Sequence, residues 1–183
     1  MNDIPEPTLI TKSISGDSTA FGELVRRNQN DVFNVCYRLT GNRQDAEDMA
    51  QEAFIRAHKK LHTFSTEYPF GPWIRRIAAN ICLNELKKHY RKTEQIDTND
   101  HEWRFSEKTP GPAATAENRA QAVTIKEAIL SLPPTYRTVI ELRHYQDLSY
   151  KEIAQTLNIP LEHVKSHLFR ARKKLARILE NEI

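Results

Sequence analysis

Residues 148–179 read LSYKEIAQTLNIPLEHVKSHLFRARKKLARIL, which contains two helical patterns separated by a short turn. Ser149 and Glu152 have the spacing of a capping box, in which two side chains satisfy free backbone N–H groups at the start of a helix. Pro160 lacks a backbone N–H and disfavours helical geometry at the residue before it, which predicts a turn at Asn158-Ile159-Pro160. The stretch therefore predicts a short helix, a turn and a long helix from about Leu161 to Leu179.

The long helix is predicted to have one apolar face and one polar face. At about 100° per residue, the apolar face comprises Val164, Leu168, Ala171 and Leu175. The roughly opposite face comprises Lys165, Ser166, Phe169 and Arg170. A helical hairpin with a solvated basic face would fit this pattern, but an aromatic ring among cations favours contact with a thymine methyl group and neighbouring phosphates. The pattern thus favours a helix-turn-helix whose second helix enters the major groove of DNA.

Composition places the chain among soluble helical proteins. Its 183 residues are 39% hydrophobic and 28% charged, which suits one domain or two small ones. The net charge is only +3, so the basic character is local. No apolar run approaches the ~20 residues of a membrane span, and the polar N-terminus does not resemble a signal peptide. We therefore expect an intracellular soluble protein, in which Cys36 and Cys82 are buried reduced thiols.

Residues 43–61 form the clearest amphipathic pattern in the chain. The apolar stripe comprises Ala46, Met49, Ala50, Ala53, Phe54, Ala57 and Leu61. The opposite face comprises Asp48, Gln51, Glu52, Ile55 and Lys59. A polar face is usually only solvated, but Ile55 lies at the centre of this one among acidic residues, which indicates a protein-binding surface.

Two helices are predicted upstream of this one. The first is short, begins near Thr8 and ends near Gly16. The second begins at Asp17 or Ser18 and ends at Gly41, because glycine readily adopts the left-handed conformation that closes a helix. Its apolar residues are interpreted as core, and they are Phe21, Leu24, Val25, Val32, Phe33, Cys36 and Leu39.

An aromatic-rich loop is predicted between residues 61 and 73. It carries Phe64, Tyr68, Phe70 and Trp73, interrupted by Pro69, Gly71 and Pro72. The rings could cover the core or offer stacking surfaces for unpaired bases. The helix predicted from Trp73 to Arg91 favours stacking, because its outer stripe combines a ring, cations and amides: Trp73, Arg76, Asn80, Asn84 and Lys87. Burial of Trp73 at the helix start is the alternative.

A polar segment divides the chain into two domains. Residues 93–112 lean acidic and contain Thr109-Pro110-Gly111-Pro112, which is typical of a linker. We therefore predict an all-α fold with an N-terminal domain at residues 8–92, a flexible linker at 93–112 and a C-terminal helix-turn-helix domain at 113–183. Trp103 and Phe105 are unusual in a spacer and could dock elsewhere on the chain.

Two histidine pairs have a spacing that can hold zinc. They are His58 with His62 and His163 with His167, each four residues apart. Neither pair has a third ligand nearby in the sequence, so we expect no metal and no other cofactor. No nucleophile–base or paired-carboxylate pattern stands out, which makes an enzyme the least supported class of function.

Three segments resemble parts of the small, two-domain extracytoplasmic function (ECF) group of bacterial RNA polymerase sigma factors. The helix that binds core polymerase is matched by residues 45–57, DAEDMAQEAFIRA. The helix that melts the promoter and reads its −10 element is matched by residues 70–88, FGPWIRRIAANICLNELKK. The domain that reads the −35 element is matched by residues 132–175, LPPTYRTVIELRHYQDLSYKEIAQTLNIPLEHVKSHLFRARKKL. The resemblance covers nearly the whole chain, with the acidic linker between the last two segments.

The resemblance implies a role for each surface. Contact with the clamp helices of the polymerase β′ subunit is implied for Asp48, Gln51, Glu52 and Ile55. Capture of unpaired −10 bases is implied for Phe64, Trp73, Arg76, Asn80, Asn84 and Lys87. Recognition of the −35 element is implied for Lys165, Ser166, Phe169 and Arg170.

The resemblance also implies partners and a location. The partners are core RNA polymerase, including its β flap, promoter DNA, and an anti-sigma factor that covers the same faces to keep the protein inactive. The implied location is cytoplasmic, at the nucleoid when active and near the membrane when an anti-sigma factor holds the protein there. No insertion into the membrane is expected.

Two other functions fit parts of the sequence. A stand-alone transcriptional regulator is one, because LSYKEIAQTLNIPLEHVKSHL also resembles the helix-turn-helix of response regulators. That reading leaves the acidic face around Ile55 and the aromatic loop unexplained. An RNA-binding adaptor is the other, and it would bind RNA hairpins at least as tightly as duplex promoter DNA. The sigma-factor hypothesis accounts for all of these features without any catalytic step.

Overall fold

The protein is described here by a computed structural model that covers residues 4–94 and 116–180. The N-terminal module comprises α1 (Glu6–Ile14), α2 (Ser18–Thr40), α3 (Arg43–Lys60) and α4 (Phe70–Glu94). The C-terminal module comprises α5 (Ala116–Leu130), α6 (Pro134–Ile140), α7 (Tyr150–Leu157) and α8 (Leu161–Glu180). These ranges contain no β-strand, so the predicted all-α fold with a C-terminal helix-turn-helix is confirmed.

Short polar signals set the junction between α2 and α3. The Asp17 carboxylate accepts hydrogen bonds from the backbone N–H groups of Thr19 at 2.9 Å and Ala20 at 3.0 Å, which starts α2. Gly41 ends α2 with φ at +73°, a left-handed conformation that other residues rarely adopt. Asn42 then accepts a hydrogen bond from the Asp45 N–H at 3.0 Å and starts α3. Two residues therefore suffice to reverse the chain between these helices.

The predicted apolar stripes face the core of the N-terminal module. On α3 the stripe is buried except for Met49, which is half-buried. On α4 the predicted inward residues Ile74, Ala78, Ile81 and Cys82 are all buried. Cys36 and Cys82 are buried free thiols, as predicted. A hydrogen bond with Cys36 and burial raise the pKa of the Cys82 thiol, which keeps it protonated.

Helix α4 begins at Phe70, three residues before the predicted start at Trp73. We expected Gly71 and Pro72 to keep the chain irregular up to Trp73. Both instead lie in the first turn of the helix. A proline loses no hydrogen bond there, because the first backbone N–H groups of a helix have no carbonyl acceptor within it. Glu6 of α1 satisfies one of the free donors, since its Oε1 accepts a hydrogen bond from the Phe70 N–H at 2.9 Å.

The helix-turn-helix forms as its local sequence predicts. Ser149 Oγ accepts from the Glu152 N–H at 3.3 Å, and Glu152 Oε2 accepts from the Ser149 N–H at 2.9 Å, which completes the capping box. Asn158 closes α7 with φ at +50°, a left-handed conformation that asparagine tolerates. The predicted inner face of α8 is buried at Val164, Leu168 and Ala171.

The connections between elements differ in detail from the sequence prediction. After α6 the chain continues through a π-helical turn, Glu141–Tyr145, which periodicity did not indicate. Helix α4 runs through Glu94 and so passes the predicted boundary at residue 92. Most of the predicted linker, with Trp103 and Phe105, lies outside the described residues. No helix in the described ranges has both the length and the apolarity needed to cross a bilayer.

The two modules pack directly against each other, a contact that the sequence did not predict. Arg137 of α6 is only 4% exposed. Its guanidinium donates to the backbone carbonyls of Leu39 in α2 and Leu130 in α5, and to that of Leu132 at 3.2 Å. Burial lowers the pKa of Arg137 to about 10, so the group is still cationic at neutral pH. One arginine therefore satisfies the carbonyl ends of two helices from different modules.

An ion pair between the half-buried Arg38 and the buried Glu141 adds a second contact between the modules. Arg38 of α2 donates two hydrogen bonds of 2.8 Å to the carboxylate of Glu141, which is 2% exposed. The Arg38 guanidinium also lies 4.6 Å from the centroid of the Tyr145 ring. The buried apolar residues of the described ranges form one cluster that runs through both modules.

Candidate protein-binding groove and nucleic-acid faces

Helices α2 and α3 border an open groove of about 910 Å³. Its walls include Phe21, Val25 and Phe33 from α2 and Phe54 and Ile55 from α3. An apolar groove between two helices is the shape that accepts the apolar face of a partner helix. Periodicity predicts Phe21, Val25 and Phe33 as core, but all three are only half-buried, because their side chains line this groove. Periodicity alone cannot separate a groove wall from a core.

The polar face of α3 borders this groove and has the predicted composition. Ile55 is 43% exposed, and Asp48 and Gln51 are exposed beside it. Glu52 is half-exposed and pairs with Arg56 at 2.6 Å. An exposed isoleucine next to acidic side chains and an apolar groove offers both apolar area and negative charge to a partner.

The Phe64 ring of the aromatic loop is buried, whereas a ring that stacks on bases is expected to be exposed. Phe64 is only 8% exposed, and its ring lies 4.8 Å from the Trp73 ring and 6.0 Å from the Phe70 ring, centroid to centroid. Trp73 is half-buried in the same cluster. The expectation that Phe64 offers a free stacking surface is therefore wrong for this arrangement, because apolar rings in one short loop bury each other. Tyr68, at 67% exposed, is the accessible ring of the loop.

The outer stripe of α4 carries the predicted polar side chains. Asn84 is exposed, and Arg76, Asn80 and Lys87 are half-buried. Two of these groups already have partners on α7. Arg76 Nη2 lies 2.7 Å from Glu152 Oε1, and Asn80 Nδ2 donates to the backbone carbonyl of Thr156 at 2.7 Å. No sequence pattern predicts this pairing, because it joins residues 76 positions apart in the chain.

The outer face of α8 is accessible, as predicted. Phe169 is 68% exposed, and Lys165 and Arg170 are exposed on either side of it. Ser166 is half-buried on the same face. Lys165 pairs with Glu162 at 2.9 Å, both exposed to solvent, so its cation remains available to a stronger anion. Exposed cations, a hydroxyl and a ring on one helix are suited to phosphates and base edges in a major groove.

The histidine pairs take part in ring packing. His58 contacts Phe21 edge-on at 4.7 Å, and His167 lies 5.6 Å from Tyr136 and 6.1 Å from His163, centroid to centroid. Burial is the largest cause that lowers the pKa of His167, which favours its neutral form. The described residues bring together no group of three or more metal-ligating side chains.

Known proteins resemble the sequence over both modules. The families described as "Sigma-70 region 2" and "Sigma-70, region 4" match residues 24–92 and 122–175. ECF RNA polymerase sigma factor SigW of Bacillus subtilis is 35% identical over 172 residues, which are 91% of this chain and 92% of that protein. RNA polymerase sigma-H factor of Pseudomonas aeruginosa is 31% identical over 178 residues, which are 94% of this chain and 92% of that protein.

Solved structures resemble the fold. CnrH in complex with the cytosolic domain of CnrY has a TM-score of 0.64 at 24% identity, covering 97% of this chain and 99% of that one. The sigma factor RpoE in complex with the anti-sigma factor NepR from Bartonella quintana has a TM-score of 0.64 at 20% identity, covering 87% of this chain and 96% of that one. At these identities the likeness concerns the helical architecture alone.

Proposed function

Because the chain belongs to the ECF group of RNA polymerase sigma factors, we propose that three surfaces of its helices divide the work of transcription initiation. Such a factor binds core RNA polymerase, directs it to promoters and is not a stand-alone regulator. We assign core binding to the groove face of α3, capture of −10 bases to the outer stripe of α4, and recognition of the −35 element to the outer face of α8. The protein acts by binding and performs no chemical step.

The observation that carries this proposal is the exposed Ile55 among acidic side chains beside an apolar groove. A factor that bound DNA alone would have no use for this surface, whereas a helical partner with cationic flanks would bury it. The clamp helices of the polymerase β′ subunit are the proposed partner. Asp48, Gln51 and Glu52 are proposed to contact their polar flanks.

The −10 role is proposed for Arg76, Asn80, Asn84 and Lys87, with Trp73 at the start of the stripe. Arginine and lysine bind phosphates, and an asparagine amide can both donate to and accept from a base edge. Taking a base out of the stack costs a few kcal/mol, which stacking and hydrogen bonds to the base must offset. We propose that Phe64 contributes indirectly, by holding the Trp73 ring in place.

The division of labour follows the two modules. We propose that the N-terminal domain carries core binding and −10 capture, and that the C-terminal domain carries −35 recognition and contacts the β flap. The linker predicted at residues 93–112 is proposed to join them. A cytoplasmic location follows from the proposed work on polymerase. An anti-sigma partner is also proposed, since RpoE, to which the fold is similar, binds the anti-sigma factor NepR.

Run-off transcription tests the proposal directly. Purified core polymerase and this protein are incubated with a library of promoter-containing templates, and product is compared with that of core polymerase alone. We expect products with defined start sites that appear only with the protein present. Absence of such products from every template, with an active core enzyme, would contradict the proposal.

Replacing Arg170 by Ala tests the −35 role. Loss of a base-edge contact is expected to weaken promoter binding by about 1–3 kcal/mol and to relax preference at one −35 position. The measurement is binding of the holoenzyme to duplexes that vary at each −35 base pair. Arg177→Ala removes a cation from the same exposed side of α8 two turns further on and serves as control. Equal weakening on every duplex would reassign Arg170 to a phosphate contact.

Replacing Asn80 by Ala tests base capture. Loss of one hydrogen bond to a base is expected to slow promoter opening by about fivefold, since such a bond contributes about 1 kcal/mol. Binding of the holoenzyme to the still-paired promoter should change less than about twofold, because the base is then stacked in the duplex. Permanganate reactivity of unpaired thymines reports opening, and filter binding reports the paired complex. Equal losses in both measurements would exclude the base-capture role.

A further inference from the structure

Two of the side chains proposed to take −10 DNA are in contact with the chain's own helix-turn-helix. Glu152 of α7 lies 2.7 Å from Arg76, and the Thr156 carbonyl accepts the Asn80 amide at 2.7 Å. A carboxylate offers Arg76 the same kind of acceptor as a phosphate does, and a peptide carbonyl offers Asn80 the same kind as a base edge. Helix α7 therefore occupies the acceptor positions that a single strand would fill.

Two further contacts set the relative position of the modules. This position places the acceptors of α7 against Arg76 and Asn80 of α4. Glu141 is 2% exposed and receives two hydrogen bonds of 2.8 Å from Arg38 across the junction. Arg137 donates across the same junction to the Leu39 carbonyl. Directional bonds to buried groups specify one arrangement, because any sliding would leave the buried Glu141 carboxylate or the buried Arg137 guanidinium without a partner.

The other two functional surfaces are free in this arrangement. Ile55 is 43% exposed at the groove of the N-terminal module, and Phe169 is 68% exposed on α8. Packing of the modules thus engages Arg76 and Asn80 of α4 while leaving the polymerase-binding groove and the −35 face accessible. The charged contacts between the modules pair opposite charges, Arg76 with Glu152 and Arg38 with Glu141, which favours this arrangement over others.

We propose that the free protein holds itself in a docked arrangement, in which α7 competes with single-stranded −10 DNA for Arg76 and Asn80. This inference rests on the function proposed above for α4. A strand binds α4 only after the modules separate, so its apparent affinity falls in proportion to the undocked fraction. Any partner that binds the undocked arrangement more tightly releases the −10 surface. Core polymerase can first bind the docked protein, because the α2–α3 groove is accessible there, and it releases the −10 surface by binding the undocked arrangement more tightly.

Two variants weaken docking without touching the proposed DNA-binding side chains. Glu152→Gln removes the charge that faces Arg76, while glutamine preserves the capping box with Ser149. Arg38→Ala leaves Glu141 without its partner only while the modules are docked, because an undocked Glu141 is hydrated. We expect affinity for a fluorescein-labelled, randomised 12-nucleotide single-stranded DNA to rise about threefold in Glu152→Gln and about tenfold in Arg38→Ala. Fluorescence anisotropy without polymerase measures both.

Glu85→Gln is the matched control for charge. It removes one negative charge from α4 itself, where Glu85 pairs with Lys88 at 2.5 Å. Its affinity for the same DNA should stay within about twofold of the wild-type value at physiological salt, because the change acts only through screened attraction. Equal gains in Glu85→Gln and Glu152→Gln would overturn the proposal, and so would unchanged affinity in Glu152→Gln and Arg38→Ala.

A distance measurement tests docking independently of DNA. Nitroxide labels at Asn34→Cys on α2 and Ala176→Cys on α8 both lie at exposed positions, whereas the native Cys36 and Cys82 are buried and escape labelling. Pulsed electron–electron double resonance should give one narrow distance distribution in the otherwise wild-type chain and a broad distribution when Arg38→Ala is added. A broad distribution in both proteins would show that the modules are not docked in solution.

The affinity and distance measurements together separate failure of this inference from failure of the proposed function. In the Arg38→Ala background, Arg76→Ala should reduce affinity for the single strand by about fivefold if α4 binds DNA. No reduction would contradict the proposed role of α4, even if the label distances show docking. A clear reduction with unchanged label distances would retain the role of α4 and reject docking.

Discussion

A variant that carries both Glu52→Lys and Ile55→Asp is expected to lose at least about a hundredfold in affinity for core RNA polymerase. Ile55 is the exposed apolar side chain at the centre of the α3 face, and it borders the groove. A carboxylate at this position would lose its hydration on binding, because a polymerase surface complementary to Ile55 offers no cation or hydrogen-bond donor in place of water. Lysine at position 52 reverses the charge offered to the cationic flank of the clamp helices. Pull-down of purified core enzyme, or anisotropy of labelled protein, measures the loss.

The chain offers a matched control on α5. Ile125 is 46% exposed, close to the 43% of Ile55, and Glu127 is exposed two residues on. The double change Glu127→Lys with Ile125→Asp thus makes the same substitutions at similar exposure, at residues that do not line the groove. It is expected to bind core polymerase within about threefold of wild type, as surface changes outside an interface do. Equal loss in both double variants would mean that the groove face of α3 is not the polymerase contact.

Local signals in the sequence were sufficient for most of the helices and for their faces. Ser149 and Glu152 predicted the start of α7, and the capping box they form needs only residues three apart. The exposure of Ile55 and Phe169 followed from helical periodicity, because each lies opposite an apolar stripe. These predictions succeeded because each depends on geometry within one helix.

Predictions failed where they depended on contacts between helices. Phe64 carries the residue type of a stacking ring, but Phe70 and Trp73 bury it. Phe21 and Phe33 fit a core stripe on α2, yet they line the groove because no helix of the described chain covers that side. The pairing of Arg76 with Glu152 joins modules separated by the linker, and no periodic pattern encodes the register between two such units. Non-local contacts of this kind require coordinates.

The Arg137→Met variant is expected to lose about 3–5 kcal/mol of unfolding free energy. Arg137 is 4% exposed, and its guanidinium satisfies the backbone carbonyls of Leu39, Leu130 and Leu132. Methionine fills a similar length but donates no hydrogen bond, so buried carbonyls at the ends of α2 and α5 would lose their donors. The cation also opposes the negative ends of two helix dipoles, an interaction that methionine cannot replace.

Urea denaturation followed by far-ultraviolet circular dichroism measures this loss, with Arg177→Met as control. Arg177 is exposed on α8, so the same substitution there should change the unfolding free energy by less than about 0.5 kcal/mol. Since a domain of this size has about 5–15 kcal/mol of stability in total, the Arg137 loss would shift the denaturation midpoint substantially. A loss below about 1 kcal/mol would mean that water replaces the guanidinium at the three carbonyls. The junction between the modules would then be held by Arg38 and Glu141 rather than by Arg137, and Arg38→Ala should become the more destabilising of the two changes.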